Sequence, residues 1–383
     1  MPRNNYKALG LNRQKNIETR KGSIMEIIRG NEAKSLYGCD FVLRLSENSK
    51  NGKIKILQIT DIQIIDSEQM RTPDRLRKDE INAWSPDKFD ENFGNHLKSL
   101  VAQSRPDMIF ITGDMVYGSF DDSGRIFEKF CGFMDSLCIP WACVFGNHDN
   151  ETNKGVDWQC DLLEKTKYGM FKRGNVSGNG NYMVGICAGD EIVRVIHMLD
   201  SHGCLSKAGI CADQLELVKK NAELVNKTQN KNVPAFIAMH YPTEEYRVAE
   251  LSKGYMTEER ESYVIGVDVD AKDDDFGSKM QNFKKVNPVS TPGFLDTVKE
   301  CNVQAVFAGH FHSVNTCITY EGVKWVMGLK TGQYDYHNPG QLGGTLITLE
   351  NEKFTVSHLP ALVNYSPFPG GSIIFKNFFA DDM

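Results

Sequence analysis

At 383 residues, 40% of them hydrophobic, the chain can bury a sizeable core as one large domain or two modest ones. A formal net charge of -6 without any Lys/Arg run argues against a nucleic-acid surface or an anionic-membrane face. Residues 1–30 are polar and charged, with no apolar stretch suited to a signal peptide. No later segment approaches the ~20 apolar residues of a membrane span, so a soluble, cytoplasmic protein is expected.

No internal repeat or low-complexity linker interrupts the chain, and strand-like apolar runs alternate with helical periodicity, which is the pattern of an α/β fold. Residues 1–35 are expected to form a poorly ordered N-terminal extension, and 36–383 a single domain. "FVLRLS" (41–46) and "KIKILQIT" (53–60) flank a turn-rich "ENSKNG", which predicts a hairpin. After a break at 66–87, Phe89, Phe93, Leu97 and Leu100 recur at helical spacing before the strand in "RPDMIFITGD" (105–114). The same helix-then-strand unit recurs in "IFEKFCGFMDSLCIPWACVFGNHD" (126–149). It returns in "DQLELVKKNAELVNKTQNKNVPAFIAMH" (213–240), with Asp213 as N-cap, and in "PGFLDTVKECNVQAVFAGH" (292–310). A second break, 243–291, carries the acidic "DVDAKDDD"; both breaks read as long loops over one face of a sheet. Ten cysteines occur without a Cys-x-x-Cys pair, several in apolar runs such as those around Cys143 and Cys301, favouring buried thiols over disulfides. Sequons at Asn150, Asn175, Asn226 and Asn364 would matter only in a secreted chain.

The strand ends carry the chemistry. Asp61 follows "ILQIT", Asp114 follows "MIFITG", Asn147 and His148 follow "ACVFG", His240 follows "AFIAM", and His310 and His312 follow "AVFAG". The carboxyl ends of strands in an open α/β sheet form one crevice, so residues spread over most of the chain converge there. Gly113, Gly146 and Gly309 precede three of these groups, and a residue without Cβ lets the chain turn sharply beside an ion. Singly, each motif is as well explained by a turn, a cap or an ordinary histidine; jointly they point to a shared metal site. His96, His197, His337 and His358 have no ligand-like context, while His202 in "LDSHG" is a candidate substrate contact. Arg71, Arg75, Arg77 and Lys78 in the first long loop, and Tyr241, Tyr246 and Arg247 near the second, are candidates to line a substrate pocket.

The ordered series D-x-[HQ], G-D, G-N-H-D, a histidine after a strand and G-H-x-H resembles that of the calcineurin-like metallophosphoesterases, over residues 53–349. "GDMVYG", "VFGNHDNET", "MLDSHG", "MHYPTEEY" and "GHFHSVNTC" are most similar to its single-domain, purple-acid-phosphatase-like branch. The resemblance implies a four-layer α/β/β/α sandwich around two mixed β-sheets, with two metal ions at one edge. It also implies hydrolysis of a phosphorylated substrate by a hydroxide bridging those ions. Carried over, it makes Asp114 the bridging carboxylate, puts Asp61 and His312 on the first ion, and Asn147, His240 and His310 on the second. His148 is then the proton donor, and Asp149 either orients it or serves as a structural acceptor in the loop.

Gln63 stands where most of the superfamily has a histidine on the first ion. Tyr117, three residues after Asp114, matches the spacing by which purple acid phosphatases supply a tyrosinate. A phenolate requires a highly charged cation, which favours Fe(III) at the first site, with Fe(II), Mn(II) or Zn(II) at the second. Gln63 is then left to hydrogen-bond behind the ligands or to offer a weak oxygen. The resemblance leaves open phosphomonoesters, small or protein-borne, against phosphodiesters, and against a non-catalytic scaffold for protein partners.

Overall fold

Two runs near the start of the domain, β4 (Met108–Thr112) and β5 (Trp141–Val144), are apolar at nearly every position, while β3 (Lys53–Ile59) alternates at its start and is buried from Ile56 on. The three pair in parallel in the middle of a sheet that is covered on both faces, so from Ile56 on neither set of side chains meets water. The computed structural model of the chain describes residues 25–45, 53–66, 90–202, 208–253, 262–263, 267–268, 281–282, 291–312, 314–335, 342–350 and 353–360.

This first sheet has six strands. It is completed by β6 (Gly169–Met170), β16 (Gly343–Glu350) and β17 (Lys353–Pro360), in the order β17-β16-β3-β4-β5-β6. The second sheet has nine strands. It comprises β1 (Met25–Arg29), β2 (Phe41–Leu45), β7 (Tyr182–Ala188), β8 (Glu191–Met198), β9 (Ala235–Ala238), β11 (Val267–Asp268), β13 (Val303–Ala308), β14 (Thr316–Tyr320) and β15 (Val323–Met327). Their order is β1-β2-β7-β8-β9-β13-β15-β14-β11, and both sheets mix parallel with antiparallel pairs. The short strands β10 (Ser262–Tyr263) and β12 (Gln281–Asn282) pair separately.

Helices α2 (Asn95–Ser104), α3 (Arg125–Ser136) and α4 (Val156–Leu163) cover the outer face of the six-stranded sheet. Helices α1 (Gly30–Tyr37), α5 (Ala212–Gln229), α6 (Glu244–Ser252) and α7 (Phe294–Glu300) cover that of the other. The result is the four-layer α/β/β/α sandwich with two mixed sheets. Alternation in the central strands fills the space between layers: Phe236 of β9 and Phe307 of β13 face the first sheet, where Phe307 meets Phe110 edge-on at 5.3 Å. Their neighbours Ile237 and Val306 face the outer helices instead.

The structure corrects several local expectations. The hairpin expected from residues 41–60 does not form: β2 pairs with β1 and β7 in one sheet, while β3 pairs with β16 and β4 in the other. Turn-rich residues between two apolar runs therefore carry the chain from one sheet to the other. Residues 25–35, assigned above to the extension, form β1 of the second sheet and most of α1, which packs on it. Helix α6 lies inside the range read as the second long loop. The N-cap of α5 is Cys211, not Asp213; Cys211 N donates to Gln214 Oε1 at 2.6 Å, and Asp213 instead accepts from Ser177 N and Oγ. Phe89, Arg71, Arg75, Arg77, Lys78, His337, Asn364 and the rest of the first long loop after Asp66 lie outside the described residues. All nine described cysteines are free.

Candidate metal centre

Five strands from the two sheets end at one edge: β3 leads to Asp61, β4 to Asp114, β5 to Asn147 and His148, β9 to His240, and β13 to His310 and His312. The chain turns there under strain. Asp61, Gln63, Asp114 and His310 all have positive φ, between 51° and 75°, a cost of order 1 kcal/mol or more each that is characteristic of functional sites. The three glycines permit the convergence. A Cβ on Gly113 would lie 2.6 Å from His240 Nδ1, one on Gly146 would lie 2.1 Å from Asp114 Oδ1, and one on Gly309 would lie 2.7 Å from Asp61 Oδ2. The expectation that glycine serves close approach is met at each of them.

Asp61, Asp114 and His240 each bring a donor atom within 4.8 Å of the others, and all three are buried. Asn147 Oδ1 lies 3.1 Å from His240 Nε2 and 3.0 Å from His310 Nδ1. His312 Nε2 lies 3.5 Å from Asp61 Oδ1. The far side of the His240 ring is fixed, since Nδ1 lies 2.7 Å from the Thr112 carbonyl and must donate to it, which turns Nε2 toward Asp114 and Asn147.

Burial pulls the His240 imidazole down, but the Asp114 and Asp61 carboxylates outweigh it and lift the group to about 9. His310, buried beside that cation, is pushed down to about 3. Burial raises both carboxyls, yet the imidazoles of His312 and His240 hold Asp61, and those of His240 and His148 hold Asp114, below the usual carboxylate range. The site is thus built around anions that need cations, and in the protein alone a protonated imidazole meets that need. Two buried carboxylates, an amide oxygen, three imidazoles and a backbone held open by glycine fit a metal centre well.

His148 stands beside this set. Its backbone N–H donates to Asp114 Oδ1 at 2.8 Å, and its Nδ1 lies 2.9 Å from Glu151 Oε2. Burial lowers its pKa, but Asp114 and Glu151 more than reverse this and raise it above the ordinary value. Asp149 does not orient His148. Its carboxylate accepts Asp114 N at 2.9 Å, Gly146 N at 2.7 Å and Val116 N at 3.0 Å, so it clamps the β4 and β5 loops together, and the catalytic reading of Asp149 is corrected to the structural one. Tyr117 is 5% exposed and lays its ring on His148, with centroids 4.0 Å apart.

Three partners were missed from sequence. Glu151, which holds His148, was legible in "NHDNE" as a carboxylate three residues on. Asp335 Oδ2 lies 3.7 Å from His312 Nδ1 on the side away from Asp61, placing a carboxylate behind that imidazole. Lys330, 1% exposed, donates to the Asp61 carbonyl at 2.5 Å and to Gln63 Oε1 at 2.8 Å, while Gln63 Nε2 donates to Asp114 Oδ2 at 3.3 Å. The only signal for Lys330 was that "KWVMGLK" is a further apolar strand ending in glycine and a cation.

The other candidates differ in how near they come to the donors. Tyr246 is buried and donates to the Val306 carbonyl, so it packs the core and does not line a pocket; Arg247 pairs with Glu244. Tyr241 stacks on His310 at 4.0 Å. His202 Nδ1 lies 3.1 Å from the Gly209 carbonyl, one residue past Ser201, whose hydroxyl accepts the His240 and Tyr241 amides. His96 faces Gln333, and His358 Nδ1 lies 3.0 Å from Thr345 Oγ1.

Fold and donor set together define a metallophosphatase-type α/β sandwich. The chain belongs to the calcineurin-like phosphoesterase family, whose model matches residues 54–314. It is similar to a protein named "Probable inactive purple acid phosphatase 14" from Arabidopsis thaliana, 23% identical over 79% of this chain and 76% of that one. It is also similar to phosphatase DCR2 of Saccharomyces cerevisiae, 30% identical over 42% of this chain but only 28% of that one. A dimetal phosphatase from Danio rerio superposes over 79% of this chain and 95% of its own, at 12% identity and a TM-score of 0.45. The family implies a metal-dependent phosphoesterase with a binuclear centre. Among the described residues, no helix is long and apolar enough to cross a membrane.

Proposed function

We propose that the protein hydrolyses phosphomonoesters, with Asp61, Asp114, Tyr117 and His312 holding the first of two metal ions, and Asp114, Asn147, His240 and His310 the second. The observation that carries this reading is the convergence of these strand-end donors around His148, a non-ligand imidazole kept in place by Glu151. When bound, paired ions supply the nucleophile and neutralise the phosphate oxygens for in-line displacement.

The chain's own residues do the rest. His148 has its proton affinity raised by Asp114 and Glu151, and it gives a proton to the leaving oxygen from Nε2 while Nδ1 stays with Glu151. Asp149 keeps Asp114 and Gly146 in register and takes no proton in the reaction. Tyr117, buried against His148 and three residues after Asp114, is the candidate phenolate on a ferric first ion, with Fe(II), Mn(II) or Zn(II) at the second. The division read from sequence, an extension over residues 1–35 and one domain over 36–383, is kept with its boundary moved back to residue 25, where β1 begins, and a cytoplasmic location goes with that reading.

The test compares turnover of aryl phosphomonoester and diester substrates by iron-loaded protein. The expected result is monoester preference and a visible phenolate-to-iron absorption that is lost in Tyr117→Phe; a colourless iron-loaded protein would remove Tyr117 from the ligand set. A second reading, a metal-binding fold without turnover, is favoured by the word "inactive" in the name of the Arabidopsis relative and by Gln63 at a ligand position. Metal-replete protein that hydrolyses neither monoester nor diester would establish it.

A further inference from the structure

Gln63 poses a question of orientation. Its amide could offer oxygen to an ion, or nitrogen to an anion, and the two ends are distinguished only by what they face. On one side is the Lys330 ammonium, which has three donors and no acceptor, so the atom 2.8 Å away has to be Oε1. On the other is Asp114 Oδ2, an acceptor, which takes Nε2–H at 3.3 Å. A flipped amide would set NH₂ against NH₃⁺ and oxygen against carboxylate, losing both bonds at once.

Lys330 has no freedom to release this grip. Its backbone forms a parallel bridge with Thr60; Thr331 N donates to the Thr60 carbonyl at 2.9 Å, and Thr60 N donates to Thr331 Oγ1 at 3.2 Å. Gly332 runs so close to the other segment that a Cβ there would lie 2.1 Å from the Ile62 carbonyl oxygen. The ammonium is fully buried and also holds the carbonyl of Asp61, whose φ of 51° needs such support.

We infer that Lys330 is a positioning residue of the first metal half-site: it locks the Gln63 oxygen to itself and so keeps Gln63 out of the ligand set. This rests on the metal-centre reading above. It also gives that reading a consequence, because a half-site deprived of the Gln63 oxygen must draw its remaining donor from elsewhere, and Tyr117 is the residue proposed.

The test is a double-mutant cycle read as Mn(II) binding to chelator-stripped full-length protein by calorimetry. In the native background, Gln63→Ala removes a hydrogen bond to Asp114 but no ligand, so two sites should remain. In the Lys330→Met background the freed oxygen can reach the ion, and Gln63→Ala should then weaken the first site by roughly tenfold or more. Equal effects of Gln63→Ala in both backgrounds, or loss of a site on Gln63→Ala in the native one, would overturn the inference. Should Lys330→Met fail to fold, the native-background measurement still decides. A wild-type protein that binds no Mn(II) would overturn the metal-centre reading, and this inference with it.

Discussion

His148 and its neighbours show how much one carboxylate's placement matters. Asp149 is adjacent in sequence yet serves the backbone, whereas Glu151, three residues on, serves the ring. His148→Ala should therefore lower turnover by ~10²- to 10⁴-fold, the scale for a positioned acid, while two ions remain on elemental analysis. Loss of both ions in that variant would make His148 a ligand. Gly309→Ala is a sharper test of close packing: its methyl would lie 2.0 Å from Thr60 Oγ1 and 2.7 Å from Asp61 Oδ2. It should cost about 1 to 3 kcal/mol in urea unfolding, as overpacking does, and displace the Asp61 carboxylate enough to empty the first site. At this scale the sequence was most informative for residues at strand ends, because a polar group after an apolar run has a fixed address. Lys330, Asp335 and Glu151 escaped because none of them belongs to the motif series. They are recognised only by what they face, and facing is a product of the fold.

At the scale of elements, the strands that deliver the donors were legible, since each is a short apolar run bounded by glycine or polar residues. Their partners were not. The 41–60 segment has the local look of a hairpin, yet β2 and β3 part into different sheets because each finds an apolar partner elsewhere in the chain: β2 on β7, and β3 between β4 and β16. Local turn chemistry was overridden by long-range burial. Where layers meet, single side chains carry large effects: Phe307 packs against both Phe110 of the other sheet and Phe236 of its own. Phe307→Ala should destabilise the fold by about 3 to 5 kcal/mol, measured as a shift in urea midpoint with an unchanged slope. A loss below ~1 kcal/mol would mean that the layers close over the gap. The β4 and β5 loops depend likewise on the Asp149 clamp. Asp149→Ala strands three buried amides, Asp114, Val116 and Gly146, and should cost about 3 kcal/mol or more whether or not metal is bound.

For the whole molecule, charge and burial set the pH range. His96, His197 and His358 lie away from the metal donors, and burial lowers each from an ordinary value of 6.5 to about 4. A depressed imidazole contributes stability that is full above pH 6.5 and is lost as pH falls toward 4. Glu250 works in the opposite sense: burial raises it from 4.5 to about 8, so its contribution is full below 4.5 and fades as pH rises through about 8. Urea midpoints should therefore fall on both sides of an intermediate pH, with His197→Phe flattening the acid limb and Glu250→Gln the alkaline one; unchanged limbs would show that these groups are not buried as described.

The central claim is that the strand-end donors hold ions on which phosphoester hydrolysis depends. It is tested most directly by stripping the protein with a strong chelator and assaying an aryl phosphomonoester before and after Mn(II), Zn(II) or iron is returned. The prediction is no turnover without metal and full recovery with it, alongside the binding of two ions per chain. Turnover that survives complete metal removal, or a two-ion protein that hydrolyses no phosphoester, would contradict it.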